Sequence, residues 1–170
     1  MSRREHAESF MLPILVAIIV PLIILFLTND WEFSSLLQGP FFLAFMISGA
    51  ASVIAGIGLM YTTISLFASV GQGTLAPWSP IQRLVVQGPY RYVRNPMISG
   101  VLLVLLGESI LLTSLVLFLW FAFFFVGNHF YFIRWEEPSL VARFGEDFKR
   151  YCENVPRWIP RTTPWIPPID

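Results

Sequence analysis

Residues 97–134 read M-I-S-G-V-L-L-V-L-L-G-E-S-I-L-L-T-S-L-V-L-F-L-W-F-A-F-F-F-V-G-N-H-F-Y-F-I-R, with Glu108 and His129 the only acidic or basic side chains before Arg134. At 1.5 Å per residue one straight helix of this length measures about 57 Å. The hydrocarbon core of a bilayer is about 30 Å thick. The stretch therefore reads as a helical hairpin turning at Thr113-Ser114, with spans over 97–112 and 115–134. Two further uncharged runs lie upstream, over 10–27 and 41–70. The first is too long for the apolar part of a signal peptide and no A-x-A-like cleavage site follows it, so it reads as a retained span bent at Pro21. The second carries Ser48, Gly49, Ala50, Ala51, Ser52, Ala55, Gly56 and Gly58, small residues that suit close helix contact.

Composition agrees. Of 170 residues, 55% are hydrophobic and 13% charged, where a soluble domain carries about a quarter charged. Mean hydropathy is +0.65. Zero net charge and one cysteine exclude a disordered chain, a disulfide scaffold and a nucleic-acid-binding domain. All 11 Lys and Arg lie in the N-terminal tail, in loop 71–96, or from Arg134 onward, whereas 28–39 holds only Asp30 and Glu32. The positive-inside rule then puts both termini and the 71–96 loop in the cytoplasm. The expected fold is a single all-α membrane domain over 1–170. It has four spans and a C-terminal cytoplasmic or interfacial helix, divided as 1–70, 71–161 and a Pro-rich tail at 162–170.

Two long polar, aromatic-rich segments are more than membrane crossing needs. Gly71 to Gly100 is rich in Pro and Gly and reads as an ordered loop leading to a helix start at Pro96. Trp135 to Arg161 contains a helical stretch, 138–154, whose stripe Leu140, Phe144, Phe148 and Tyr151 reads as packing. In a straight helix His129, Ile133, Glu136 and Glu137 share a face. Gly100, Val104 and Glu108 share another on the preceding span, and in a hairpin the two faces can meet. Arg94, Asn95, Glu136 and Glu137 then converge at the membrane surface, with His129 about 10 Å deeper. Glu108 reads as a carboxylate near the opposite interface, and Cys152 as structural.

Two His and one Cys make no metal cluster, and no Walker loop, dinucleotide fingerprint or nucleophile elbow is present. Paired carboxylates, an arginine and free backbone N–H groups suit a ligand with an ammonium at one end and a carboxylate at the other.

G-P-Y-R-Y-V-R-N-P-M-I-S-G (88–100), followed by E-E-P-x-L-x-x-x-F-G-x-x-F-x-x-Y-x-x-x-V-P (136–156), resembles the integral-membrane methyltransferases. That family includes isoprenylcysteine carboxyl methyltransferase and the phospholipid N-methyltransferases. The resemblance covers Gly71 to Arg161. It implies S-adenosylmethionine as cofactor, bound on the cytoplasmic side, and a lipophilic acceptor entering from the bilayer, with no nucleic acid and no metal involved. Arg94, Asn95 and Pro96 correspond to the R-[HN]-P element, Glu136 and Glu137 to the acidic pair, and Gly71 and Gly73 to an upstream G-x-G. Tyr92 and Gly100 complete the implied cofactor set. Asn95 stands where prenylcysteine enzymes have His, and Ile98 where many members have Tyr, so the acceptor stays open. A carboxylate acceptor calls for an orienting cation, Arg94 or else Arg134. An amine acceptor calls for a base, and His129 is the group suited to it. Two rival readings remain. Tyr151-Cys152-Glu153-Asn154-Val155-Pro156 resembles the ending of NADPH-dependent membrane sterol reductases, and a non-catalytic scaffold is the other.

Overall fold

The computed structural model describes residues 12–30, 42–66 and 84–167. Within them the chain is all-helical and no strand occurs. The helices are α1 (Leu12–Thr28), α2 (Phe42–Leu66), α3 (Pro96–Leu111), α4 (Leu115–Tyr131) and α5 (Glu137–Asn154). Two stretches, Phe42–Leu66 and one within Leu115–Asn154, are long and apolar enough to cross a membrane, while α1 and α3 are shorter apolar helices. Large apolar side chains point outward from the bundle: Phe26 is 77% exposed, Ile54 71% and Phe123 68%. Such a surface needs an apolar medium around it.

The hairpin turns where expected. Ser114 Oγ accepts the Leu117 N–H at 3.2 Å and so caps α4. The same hydroxyl donates to Asp30, just past the end of α1. Ser114→Ala removes the cap and leaves Asp30 without this partner. It is expected to lower unfolding free energy by about 1–2 kcal/mol, measurable by thermal unfolding in detergent.

The densest contact is between α2 and α3, and glycine makes it possible. A Cβ on Gly56 would sit 2.5 Å from the Gly100 carbonyl oxygen, and one on Gly107 2.7 Å from that of Gly49. The two pairs are seven residues apart on each antiparallel helix, so the contact repeats every two turns. Ser52 Oγ donates across it to the Leu103 carbonyl at 2.7 Å. The face of α3 carrying Gly100, Val104 and Gly107 is thus turned to α2, not toward His129 on α4 as hairpin geometry suggested. Another part of α3 (Val101, Leu105) packs with Ala17 of α1 and with Trp120, Phe121 and Phe124 of α4.

Proline opens both α1 and the end of α4 into π turns. Pro21 and Pro138 have no N–H to give the carbonyl four residues back. In each case the residue just before the proline donates to the fifth carbonyl back, Val20 to Leu15 and Glu137 to Phe132. The expected bend at Pro21 therefore takes the form of a π turn over Leu15–Ile19. The freed Val16 carbonyl receives the Trp120 indole N–H at 3.5 Å, linking α1 to α4.

The second π turn, Phe132–Glu136, corrects the straight-helix stripe. One extra residue in a turn rotates the downstream helix by about 100°. Ile133, expected on the inner face, is 43% exposed, whereas Phe132 is 4% exposed. His129 and the glutamates consequently lie in different surroundings.

The C-terminal helix forms as expected, with a kink at Gly145, whose φ of 57° lies in the left-handed region open to glycine. Its stripe is a packing surface. Phe148 and Tyr151 are buried with Val155 against Leu84, Val86, Phe144 and Trp165.

Candidate functional site

The segment 84–95 and the segment after α5 are stitched together by backbone hydrogen bonds. The Arg94 N–H donates to the Pro156 carbonyl at 2.9 Å, the Arg161 N–H to Tyr92 at 3.0 Å and the Trp165 N–H to Arg91 at 2.9 Å. Tyr151, on the buried stripe of α5, donates its hydroxyl to the Tyr90 carbonyl at 2.7 Å. Burial raises both tyrosine hydroxyls well above their usual pKa, so they stay protonated. The two motifs thus become one surface, at the end of the bundle where α3 begins and α4 gives way to α5.

Arg94 and Glu137 meet there. Arg94 Nη1 donates to Glu137 Oε1 at 2.9 Å, and the pair is only 13% and 21% exposed. Arg157 approaches the same carboxylate in a bidentate fork, Nε to Oε1 and Nη2 to Oε2, both at 2.8 Å. Arg94 Nη1 also contacts Cys152 Sγ at 2.9 Å. Burial pushes the Cys152 thiol pKa up, with Arg94 opposing the shift.

Glu136 differs from its neighbour. Among the described residues its carboxylate forms no hydrogen bond or ion pair. Burial first, and then the negative charge of Glu137, raise its pKa from 4.5 to about 7. Two donors beside this region also lack partners: Arg94 Nε and Asn95 Nδ2 are both buried. Asn95 occupies the N-cap position of α3 without capping it through its side chain. Its carbonyl instead receives the Ser99 N–H and hydroxyl, both at 2.9 Å. Pro96, at the first turn of α3, is fully buried.

The remaining expected residues are spread out. His129 accepts the Trp158 indole N–H at Nδ1, 3.0 Å away, among Phe125, Phe130 and Phe132. A neutral imidazole in that position carries its proton on Nε2 and offers an N–H, the opposite of a base. Arg134 is exposed on the π turn. Tyr92 is half-buried and gives its carbonyl to Arg161. Gly100 is held in the α2–α3 contact, where Met60 and the Gly56 carbonyl fill the space a side chain would take. Gly71 and Gly73 lie outside the described residues. Glu108 is half-buried at the far end of α3, with one carboxylate oxygen buried and unpartnered.

Sequence reading missed Arg157 and Trp158. Their signal was V-P-R-W at 155–158, directly after the motif, but nothing in periodicity aims an arginine twenty residues back at Glu137.

The phospholipid methyltransferase family matches residues 44–147, more than half of the chain. The chain belongs to that family. Comparison with curated proteins and with solved structures gives no match. The matched stretch contains Arg94, Asn95, His129, Glu136 and Glu137, all residues of a membrane methyltransferase family region. Arg157 and Trp158 fall beyond it.

Proposed function

We propose that the protein is an S-adenosylmethionine-dependent methyltransferase acting on a lipophilic or small amphiphilic acceptor at the cytoplasmic membrane face. The observation carrying this reading is the set of unpartnered groups. Among the described residues Glu136 is a carboxylate with no cation of its own, and Arg94 Nε and Asn95 Nδ2 are buried donors with no acceptor. Together they match the ammonium and carboxylate ends of the methionine part of the cofactor. Bound there, S-adenosylmethionine supplies the electrophilic methyl group. The chain's own part is positioning and electrostatics. Glu136 holds the cationic end, Arg94 and Asn95 the anionic end, and Tyr90, Tyr151 and Phe148 close the protein side of the surface. A carboxylate acceptor is oriented by a guanidinium, that of Arg94 or the exposed Arg134. An amine acceptor requires His129 to give up its bond from Trp158 before Nδ1 can take a proton. Gly100 stays outside the set as a packing residue.

The reading includes four membrane crossings. α1 and α3, at about 24–26 Å, approach the thickness of the hydrocarbon core. The distribution of Lys and Arg orients both termini to the cytoplasm. The bilayer is then both solvent and route for the acceptor.

Calorimetric titration of the purified protein in detergent with S-adenosylhomocysteine, and separately with NADPH, tests the proposal. Saturable binding of S-adenosylhomocysteine and none of NADPH is expected. Binding of NADPH instead, or of neither ligand by folded protein, overturns it.

A further inference from the structure

The two adjacent glutamates look equivalent in sequence, but their surroundings divide them. Glu137 receives three charge-assisted hydrogen bonds from two guanidinium groups, at 2.8–2.9 Å. A carboxylate offers about four lone-pair positions, so little capacity is left, and two positive charges already face any incoming cation. Glu136, one residue earlier, has no such partner among the described residues. Resting on the methyltransferase reading, we infer that Glu137 is a strut clamped by Arg157 and Arg94, and that Glu136 alone meets the cationic end of the cofactor. Arg157 is then a positioning residue, and it lies outside the stretch that the family match covers.

The clamp has a clear mechanical logic. The segment 155–158 grips the site at three points: the Pro156 carbonyl on the Arg94 N–H, Arg157 on Glu137, and Trp158 on His129. Arg94 is therefore held from its backbone by Pro156 and from its side chain by Glu137. This fixes the Arg94 Nη1 edge and leaves Nε unpartnered. Glu137 raises the pH at which Glu136 ionises, and both guanidinium groups are bound to that same Glu137 carboxylate, while the protonated Tyr90 hydroxyl beside Glu136 carries no charge. Removing Glu137, or a guanidinium that neutralises it, shifts the pH at which Glu136 ionises, which supplies a readout that loss of structure alone does not move.

The test is calorimetric affinity for S-adenosylhomocysteine between pH 5.5 and 8.5, with melting temperatures, for the full chain and its variants. In the wild type, affinity rises with pH up to about 7, by at most tenfold per unit, as Glu136 ionises. Glu136→Gln is expected to weaken binding at pH 8 by about 30-fold or more and to flatten the pH profile. Glu137→Gln is expected to lower the melting temperature, keep affinity at pH 8 within about fivefold, and move the midpoint down because a neighbouring negative charge is gone. Arg157→Gln moves the midpoint up. Arg157→Lys retains the charge and restores the midpoint, while losing the fork. Equal loss of affinity in folded Glu137→Gln and Glu136→Gln overturns the division of roles. Should Glu137→Gln not fold, the Arg157 pair decides: an unchanged midpoint in Arg157→Gln overturns the clamp. A wild type that binds no S-adenosylhomocysteine at any pH fails the methyltransferase reading itself, and the inference falls with it.

Discussion

Gly56→Ala is expected to lower unfolding free energy by about 2–3 kcal/mol, the upper part of the range for overpacked sites. The added methyl would lie 2.5 Å from the Gly100 carbonyl oxygen and 2.8–2.9 Å from Val104. The obstacle is mainly backbone, which cannot rotate aside, so α2 and α3 must separate. Separation also stretches the Ser52–Leu103 hydrogen bond and loosens the second glycine pair, Gly49–Gly107. Gly58→Ala, two residues along the same helix, is the matched control. A Cβ at Gly58 meets nothing within 4 Å, and alanine favours helix, so this change should be neutral or stabilising by up to about 1 kcal/mol. Unfolding of both variants in the same detergent isolates the contact from propensity. Equal effects at the two positions would remove the glycine seam as the organiser of the α2–α3 pair.

The seam also shows which parts of this fold are legible in sequence. Length and charge alone located the apolar segments and the turn at Thr113-Ser114, because a run that exceeds one membrane thickness must reverse at its polar break. Small residues in 41–70 announced a close contact, but not its partner. Gly100 and Gly107 sit in a stretch that also suits a site, and one-dimensional periodicity does not separate the two uses. The inner face of α4 was misread at Ile133 because straight-helix geometry fails at a π turn, although Pro138 was in view. The approach of Arg94 to Glu137 was legible, since two motifs flanking a hairpin must come together at its open end, but their ion pair was not, because both glutamates read as partners for a cationic ligand. The unequal fate of Glu136 and Glu137 was not. It depends on Arg157, whose direction is fixed only when the backbone of 155–165 pairs with that of 91–94.

Glu136 should make the ligand-free protein less stable as pH rises. It lies past Arg134, where the last apolar span ends, in surroundings that favour the neutral acid. Its folded pKa is raised to about 7 from 4.5 by burial and by Glu137. Below 4.5 the carboxyl is protonated in both states and exacts no penalty. Between 4.5 and about 7 the unfolded chain has ionised Glu136 while the folded chain keeps the proton, so stability falls with a slope of up to about 1.4 kcal/mol per pH unit. Above about 7 the contribution levels off. With allowance for partial solvent access, the total attributable to this residue is about 2–3 kcal/mol. Glu136→Gln should abolish that portion of the pH dependence and be more stable than wild type at pH 8, with little difference at pH 4. Unfolding free energy at several pH values, wild type beside variant, measures it. A variant equal to or less stable than wild type at pH 8 would show that Glu136 has a stabilising partner after all. A cation bound at Glu136 supplies the counter-charge that the fold withholds, so S-adenosylhomocysteine should stabilise the wild type more at pH 8 than at pH 6. The carboxylate that weakens the empty fold is then the one that makes the site selective for a positively charged ligand.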